Sequence, residues 1–107
     1  MTEIDTFVRF ESDGECFEVP IAQPGTCGFG RSLENTVVLT DTLASRDHAV
    51  ITRAEDGACL LSDLGSTNGT RVNGRPVTAP TALSSGDVIE IGRQAIVFIQ
   101  GSAPRGV

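Results

Sequence analysis

The segment HAVITRAEDGACLLSDL, residues 48–64, decides the fold because it contains two short apolar runs separated by a turn. Asp56-Gly57 is a dipeptide that favours a tight hairpin turn between two strands. In the first run, a two-residue period directs one set of side chains inward and leaves Arg53 and Glu55 in solvent. The predicted inward set is His48, Val50, Thr52 and Ala54. This segment therefore predicts an antiparallel hairpin.

The sequence on both sides of this hairpin repeats the pattern of short strands and turns. Apolar or alternating runs occur in IDTFVRFES, ECFEVP, TVVL, TRVNGRPV, VIEIG and QAIVFIQ. Turn residues separate these runs, including Asp13-Gly14, the QPGT segment at residues 23–26, and Asn73-Gly74, which suits a type I′ turn. No ten-residue window shows a helical period. The predicted fold class is all-β, a β-sandwich of about 10–11 mostly antiparallel strands.

Chain length and charge predict one domain without a nucleic-acid or membrane surface. The 107 residues, 39% of them hydrophobic, are enough for one core. We assign the domain to residues 1–100 and a flexible C-terminal tail to residues 101–107. The net charge of −6 argues against a broad surface for nucleic acid or anionic membranes. No apolar run is long enough for membrane insertion and no secretory signal is present, so a cytoplasmic location is predicted.

The polar residue types set limits on cofactors. Cys16, Cys27 and Cys59 form no CxxC pair, and in a cytosolic protein they are most simply small buried hydrophobic residues; a disulfide between two of them is the weaker alternative. His48 is the single histidine, and no cluster shows the spacing of metal ligands. We therefore predict neither a metal site nor a cofactor. All eight basic residues are arginines, which suit bidentate hydrogen bonding to phosphate or carboxylate. Genome base composition can produce the same excess of arginine over lysine.

The segment ASRDHAVI, residues 44–51, contains Ser45, Asp47 and His48, the residue types of a hydrolase triad. Adjacent strand residues point to opposite faces, so Asp47 and His48 cannot easily face one another. Triad members usually come from distant parts of a chain, and the sequence has no nucleophile elbow such as GxSxG. We therefore predict that the protein is not an enzyme. We also predict that His48 is buried and hydrogen-bonds the backbone of the loop that carries Ser45.

Hydrogen-bond donors occur in three predicted loops. Arg31 follows the GFG segment at residues 28–30, Ser45-Arg46 precedes the hairpin, and Thr67-Asn68-Gly69 follows it. Loops at one end of a sandwich commonly present binding residues. If the three loops meet, their guanidinium, hydroxyl and amide groups would form a small donor-rich anion site. Each fragment alone is weak evidence, because Ser, Thr, Asn and Gly are ordinary turn residues.

The order and spacing of these fragments are more informative than the fragments themselves. GFGRSLENTVVLTDTLASRDHAVI, LSDLGSTNGTRVNG, LSSGDVIEIG and IVFI together closely resemble the forkhead-associated (FHA) domain. That family is marked by Gly-Arg, Ser-Arg-x-His, Ser-x-Asn-Gly-Thr with a following Val-Asn-Gly, Gly-Asp and Ile-Gly, in that order. The resemblance extends from about residue 29 to residue 99. It implies a sandwich of the SMAD/FHA type that binds phosphothreonine peptides through loops at one end.

The resemblance also implies which residues bind the peptide. Arg31 and Ser45 would contact the phosphate, and Arg46 would lie beside it. Thr67 would help to line the phosphothreonine site, and Asn68 would hold the peptide backbone near the modified residue.

Five further residues would act around this site. Gly30, His48 and Gly69 would be structural supports of the binding loops. Leu43 and Arg71 lie where family members vary, so partner choice would depend on them.

The function that the resemblance implies is a non-catalytic, phosphothreonine-peptide-binding adaptor in Ser/Thr kinase signalling. Its partners would be a phosphothreonine-containing protein or peptide and a Ser/Thr protein kinase or its substrate. The alternative is a phosphate-independent protein-interaction module on the same sandwich. The presence of Arg31, Ser45 and Asn68 counts against that alternative.

Overall fold

The computed structural model describes residues 6–101, which form two packed β-sheets and contain no helix. The strands are β1 (Thr6–Ser12), β2 (Glu15–Pro20), β3 (Gly25–Gly30), β4 (Val37–Val38), β5 (Ala49–Arg53), β6 (Cys59–Asp63), β7 (Thr70–Val72), β8 (Arg75–Pro76), β9 (Thr81–Ala82), β10 (Val88–Ile91) and β11 (Gln94–Gln100). No helix among the described residues is therefore long and apolar enough to cross a membrane.

The strands divide into a six-stranded and a five-stranded sheet. The first has the order β2-β1-β11-β10-β7-β8, and the second has the order β4-β3-β5-β6-β9. All pairings are antiparallel except β3 with β4, which is parallel. The predicted all-β sandwich is confirmed.

The core lies between the two sheets and is built from alternating side chains of their inner faces. Fully buried core residues include Val8, Ile89, Ile91, Ile96 and Phe98 from the first sheet and Cys27, Phe29, Ala49, Ile51 and Leu61 from the second. Burial of each large apolar side chain stabilises the fold by about 1.5–3 kcal/mol relative to leaving it exposed.

The predicted inward face of β5 is wrong. Ala49, Ile51 and Arg53 point into the protein, whereas Thr52 is exposed and Val50 only half-buried. The prediction assumed that a charged residue would face solvent. Arg53 is instead buried because its guanidinium donates to the carbonyl oxygen of Ile21 and to the side-chain oxygen of Gln23. His48 is fully buried as predicted, but it lies just before the strand begins.

Two strands were absent from the sequence-based prediction. β3 includes the last two residues of the predicted QPGT turn and is central to the five-stranded sheet. Its three glycines are poor strand formers, so composition alone concealed it. β9 is only two residues long. The predicted TVVL strand is confirmed, shortened to β4.

The two hairpin turns with clear signals have the expected geometry. Asn73 and Gly74 both have positive φ, at 52° and 84°, as a type I′ turn requires. Asp13 and Gly14 show the same combination, at 53° and 80°. The predicted C-terminal tail, 101–107, lies outside the described residues except for Gly101, so it stays a prediction.

Candidate binding site at one end of the sandwich

Three loops meet at the end of the sandwich where β3 ends and β5 begins; we call them the three-loop site. They are residues 31–36, residues 39–48 and residues 64–69. The backbone N–H of Arg31 donates to the carbonyl oxygen of Ser45 at 3.1 Å. The backbone N–H of Thr67 donates to the Ser45 hydroxyl oxygen at 3.1 Å, and the Asn68 side-chain amide donates to the Leu43 carbonyl oxygen at 2.9 Å. The predicted convergence of the loops is therefore present in the structure.

Ser45 lies at the junction of the three loops. Its N–H donates to Nδ1 of His48 at 2.9 Å, its carbonyl oxygen accepts from Arg31, and its hydroxyl oxygen accepts from Thr67. All three contacts leave the hydroxyl proton free to be donated. Since a hydroxyl carries one donor and two acceptor sites, Ser45 can donate a hydrogen bond to an anion while it keeps its contacts to His48, Arg31 and Thr67.

His48 supports the site from beneath. Its Nδ1 accepts from the Ser45 N–H, so the proton of a neutral ring lies on Nε2, which is 2.9 Å from the carbonyl oxygen of Gly69. Its backbone N–H and carbonyl oxygen bond to Phe29 and Leu64. A single buried ring thus joins the loop before β5 to the loop before β7.

Arg31 is exposed at the rim of the site and anchored at its base. Its Nε donates to the carbonyl oxygen of Ala44 at 2.6 Å, which directs the side chain along the neighbouring loop. Its two Nη groups have no ion-pair partner within residues 6–101. The charged end of Arg31 is therefore held near Ser45 and available for an external anion.

Gly30 is required by a close approach of two backbone segments. A Cβ atom at this position would collide with the carbonyl oxygen of Arg46. That oxygen also accepts from the Ser32 N–H at 3.1 Å and from the Asn35 side chain at 2.8 Å. The missing side chain at Gly30 thus allows the loop containing Arg31 to lie against the loop containing Ser45.

The last loop is shaped by Gly69 and by the side chain of Asp63. Gly69 has a φ of +86°, which favours glycine, and its N–H donates to the Ser66 hydroxyl. Asp63 accepts from the N–H groups of Gly65 and Ser66 and from the hydroxyls of Ser66 and Thr70, at 2.6–2.8 Å. This network fixes the loop that presents Thr67 and Asn68.

Asp41 positions the loop that carries Leu43. Its carboxylate accepts from the Leu43 N–H at 2.9 Å and from the Arg93 N–H at 2.7 Å, and it forms an ion pair with the Arg93 side chain at 3.3 Å. The Leu43 carbonyl in turn holds Asn68. The turn between β10 and β11 therefore braces the three-loop site from the outside.

Two arginine side chains of the three-loop site lack an ion pair within residues 6–101. Most arginines elsewhere are neutralised: ion pairs join Arg9 to Glu18, Arg71 to Glu90 and Arg93 to Asp41. Arg31 and Arg46 are both exposed and have no ion pair within the described part of the chain. Both arginines of the three loops thus carry a charge that no carboxylate of the described residues pairs.

Comparison with known proteins identifies the family to which this chain belongs. A family model described as the FHA domain matches residues 27–92. The chain belongs to the FHA family. The oxoglutarate dehydrogenase inhibitor of Corynebacterium diphtheriae is 44% identical over 72 residues, which are 67% of this chain and 49% of that protein. This chain therefore spans about half the length of that curated relative.

Solved FHA structures share the whole described fold. The FHA domain of the CT664 protein from Chlamydia trachomatis matches with a TM-score of 0.86 and 26% identity, over 92% of this chain and 99% of that one. A structure solved in a study of phosphothreonine-dependent FHA domain interactions matches with a TM-score of 0.78 and 31% identity, over 92% and 98% of the two chains. The FHA domain is a phosphothreonine-binding module.

The geometry of the Ser-Arg-Asp-His motif agrees with a binding module rather than a hydrolase. Both ring nitrogens of His48 face backbone groups, and the Ser45 hydroxyl oxygen accepts from a backbone N–H. Asp47 is exposed and lies 3.4 Å from the Asn35 amide. The three side chains therefore form no proton-transfer chain among themselves.

Two predicted specificity residues of the FHA domain have clear positions but untested roles. Leu43 is 40% exposed and belongs to the loop that Asn68 holds. Arg71 follows the last loop on β7, where its Nε lies 3.3 Å from a carboxylate oxygen of Glu90. Their influence on partner choice stays a prediction, as do the peptide contacts of the site residues.

Sequence reasoning missed three residues that organise the FHA site. Asp41 and Asp63 each accept the N–H two residues ahead, which is a recognisable turn signature of aspartate. That signal was present in the sequence and could have found them. The Asn35 side-chain amide donates to the carbonyl oxygen of Arg46, eleven residues later, and no local sequence pattern predicts such a contact.

The two aspartates predict a specific response to acid. Hydrogen bonds from the backbone of Leu43 and from Arg93 lower the pKa of Asp41 to about 2. Burial would raise the pKa of Asp63, but the hydrogen bonds from Ser66, Thr70 and Gly65 outweigh it and lower the pKa. The unfolded chain therefore binds protons at a higher pH than the folded chain does. The stabilisation by both groups is present above about pH 4. For Asp41 it is lost as the pH falls towards 2, and for Asp63 it is lost as the pH falls below about 4.

Urea unfolding at a series of pH values between 6 and 2 tests this expectation. The free energy of unfolding should fall as the pH drops below about 4, and Asp41→Asn should flatten that fall. Glu18→Gln is the matched control, because Glu18 is an exposed carboxylate paired with Arg9 far from the site. An unchanged pH slope in Asp41→Asn would contradict the assignment.

Proposed function

We propose that the three-loop site binds phosphothreonine peptides and that the domain acts as a non-catalytic adaptor in Ser/Thr kinase signalling. The observation that carries this proposal is the hydrogen-bond junction at Ser45, which draws Arg31 and Thr67 together. The family also supports the proposal, because the match to the FHA domain, a phosphothreonine-binding module, covers residues 27–92 and so includes all three loops. The partner is a phosphothreonine-containing protein, and a Ser/Thr kinase supplies the modification.

The free donors of the site suit a phosphate. Phosphothreonine carries a charge of about −1.5 to −2 and three strong acceptor oxygens at neutral pH. The Nη groups of Arg31 and the hydroxyl proton of Ser45 are the donors that we assign to it. Arg46 adds a second positive charge in the adjoining loop, and the hydroxyl of Thr67 lies on the opposite loop.

Asn68 is suited to hold the peptide main chain. One proton of its side-chain amide is used on the Leu43 carbonyl oxygen, which fixes the orientation of the side chain. The second amide proton and the side-chain oxygen stay available for the peptide backbone. We assign Asn68 to orientation of the peptide rather than to neutralisation of the phosphate.

The expected affinity is moderate. Each charge-assisted hydrogen bond to phosphate contributes about 1.5–3 kcal/mol, and the ordering of a flexible peptide opposes it. A net binding free energy near −8 kcal/mol, a dissociation constant of about 1 μM, is the expected range.

A peptide library with a fixed central residue tests the function. Three versions of the library carry phosphothreonine, phosphoserine or threonine at that position, and the immobilised domain selects from each. We expect retention of the phosphothreonine library alone, followed by saturable calorimetric binding of the peptides recovered. Equal retention of all three would contradict the proposal and favour phosphate-independent binding.

We also propose that this interaction takes place in the cytoplasm. The three cysteines among the described residues, Cys16, Cys27 and Cys59, are free thiols. Free thiols suit a reducing compartment, because an oxidising one favours disulfides.

A further inference from the structure

Arg53 is a buried cation at the end of the sandwich away from the three-loop site. It ends β5, whereas His48 immediately precedes the start of that strand. Arg53 is 4% exposed, and Ala49 and Ile51 share its inward face. A guanidinium in such a position loses its hydration and needs an anionic or hydrogen-bonding partner in return.

The protein supplies only part of that compensation. One Nη donates to the Ile21 carbonyl oxygen at 2.7 Å and the other to the Gln23 side-chain oxygen at 2.9 Å. Nε is buried and has no acceptor among the described residues. No carboxylate of residues 6–101 lies within ion-pair distance of Arg53. Two of the five N–H groups of the side chain therefore have protein acceptors, and its charge is unpaired.

An open cavity of about 470 Å³ lies against this unpaired cation. Its lining combines polar and apolar surface and consists of Gln23, Arg53, Asp56, Gly57, Ala58, Gln100 and Gly101. Gln100 is held in place because its amide donates to the carbonyl oxygen of Gly57 at 2.8 Å. The cavity thus has polar groups held in place in its wall beside a buried positive charge.

We propose that this cavity, the Arg53 cavity, binds a carboxylate group. A carboxylate has the charge and the paired acceptor oxygens that match the Nη N–H groups that Ile21 and Gln23 leave unused. An inorganic phosphate is a poorer match because the lining offers one cationic side chain to a more highly charged ion. The proposal is independent of the three-loop site, since no residue of that site lines the cavity.

Asp56 sets the limit on the affinity of the Arg53 cavity. It lines the cavity, and its Oδ1 accepts from the Ala58 N–H at 2.9 Å. Its negative charge repels a carboxylate, so binding should be weak in the wild-type protein. Asparagine at this position keeps an acceptor for Ala58 and removes the charge. Asp56→Asn should therefore tighten carboxylate binding several-fold.

Backbone amide NMR with two carboxylate probes tests the proposal. The probes are glutarate, a free acid, and acetyl-Gly-Glu-Gly-amide, which presents the carboxylate on a polypeptide, both at constant ionic strength. We expect saturable shifts at Gly57, Ala58 and Gly101 with half-saturation at or below about 10 mM. Binding of both probes identifies an acidic side chain as a sufficient ligand, and binding of glutarate alone identifies a small free acid.

Variants separate the cavity from general charge effects. Arg53→Met should weaken binding by about tenfold or more, because methionine keeps the apolar stem and removes the charge. Arg75→Met is the matched control, since Arg75 is exposed on β8 and loses the same charge away from the cavity. Arg31→Ala should leave carboxylate binding unchanged even if it abolishes phosphopeptide binding.

Two results would overturn the proposal. The first is the absence of saturable shifts with both probes up to 50 mM, about five times the expected half-saturation, in the wild-type protein and in Asp56→Asn. The second is equal weakening by Arg53→Met and Arg75→Met. If Arg53→Met does not fold, the wild-type titration and the tightening in Asp56→Asn decide the question.

Discussion

Arg31→Ala should weaken phosphothreonine-peptide binding by about tenfold or more and leave the fold unchanged. The guanidinium is exposed, its Nη groups lack an ion pair within residues 6–101, and only Nε is used internally, on the Ala44 carbonyl oxygen. Loss of the side chain removes charge-assisted hydrogen bonds to the phosphate. It leaves the contact between the Arg31 backbone N–H and Ser45 in place. Calorimetric titration with a selected phosphopeptide measures the loss.

The control for Arg31→Ala is Arg75→Ala. Arg75 is exposed on β8, so this variant loses the same charge without touching the three-loop site. It should retain the wild-type affinity within about twofold, and both variants should show the wild-type melting temperature. Equal losses of affinity in the two variants would mean that general charge, rather than the site, attracts the peptide.

His48→Ala should lower the free energy of unfolding by about 2–4 kcal/mol. The ring is fully buried, and its removal leaves the Ser45 N–H and the Gly69 carbonyl oxygen without partners. Each buried group left unpaired costs about 1–3 kcal/mol, and the cavity adds to the loss. Urea unfolding followed by circular dichroism provides the measurement.

The neighbouring residue provides the control for this variant. Asp47 is exposed, and within residues 6–101 its side chain has one hydrogen bond, from Asn35 at 3.4 Å. Asp47→Ala should therefore change stability by less than about 0.5 kcal/mol. Because His48 joins two loops of the site, its variant should also bind phosphopeptide more weakly. A His48→Ala protein with wild-type stability would refute its structural role.

The positions of the loop residues could be predicted because their signals are local and ordered along the chain. Asn73-Gly74 specifies its turn through backbone preferences alone. The Ser45 and His48 pair lies within four residues, so a hydrogen bond between loop and ring was foreseeable. The family motifs then indicated that Arg31 and Asn68 lie at the same end.

Long-range contacts account for what the sequence did not predict. The wrong inward face of β5 followed from treating Arg53 as exposed, whereas its acceptors come from Ile21 and Gln23, about thirty residues earlier. A two-residue period shows which residues of a strand share a face, but it does not show which face points inward when a charged residue lies on the buried one. β3 was missed because its three glycines, one of which (Gly30) permits close packing against Arg46, also weaken its strand signal.

The shape of the loops depends on residues that the motifs do not emphasise. Asp63 accepts three hydrogen bonds from the loop that carries Thr67 and Asn68 and a fourth from Thr70 at the start of β7. Asp41 joins the Leu43 loop to Arg93, which lies in a turn 52 residues later. Such contacts decide how the donors are oriented, and they become visible only in three dimensions.

The most direct test is a backbone amide NMR titration with a phosphothreonine peptide recovered from the library. If the three loops form one phosphate site, the largest shifts should occur together at Arg31, Ser45, Thr67 and Asn68 and should follow one binding curve. The dephosphorylated peptide should produce no saturable shift at these amides. Saturable shifts confined to other surfaces, or identical shifts with both peptides, would contradict the account.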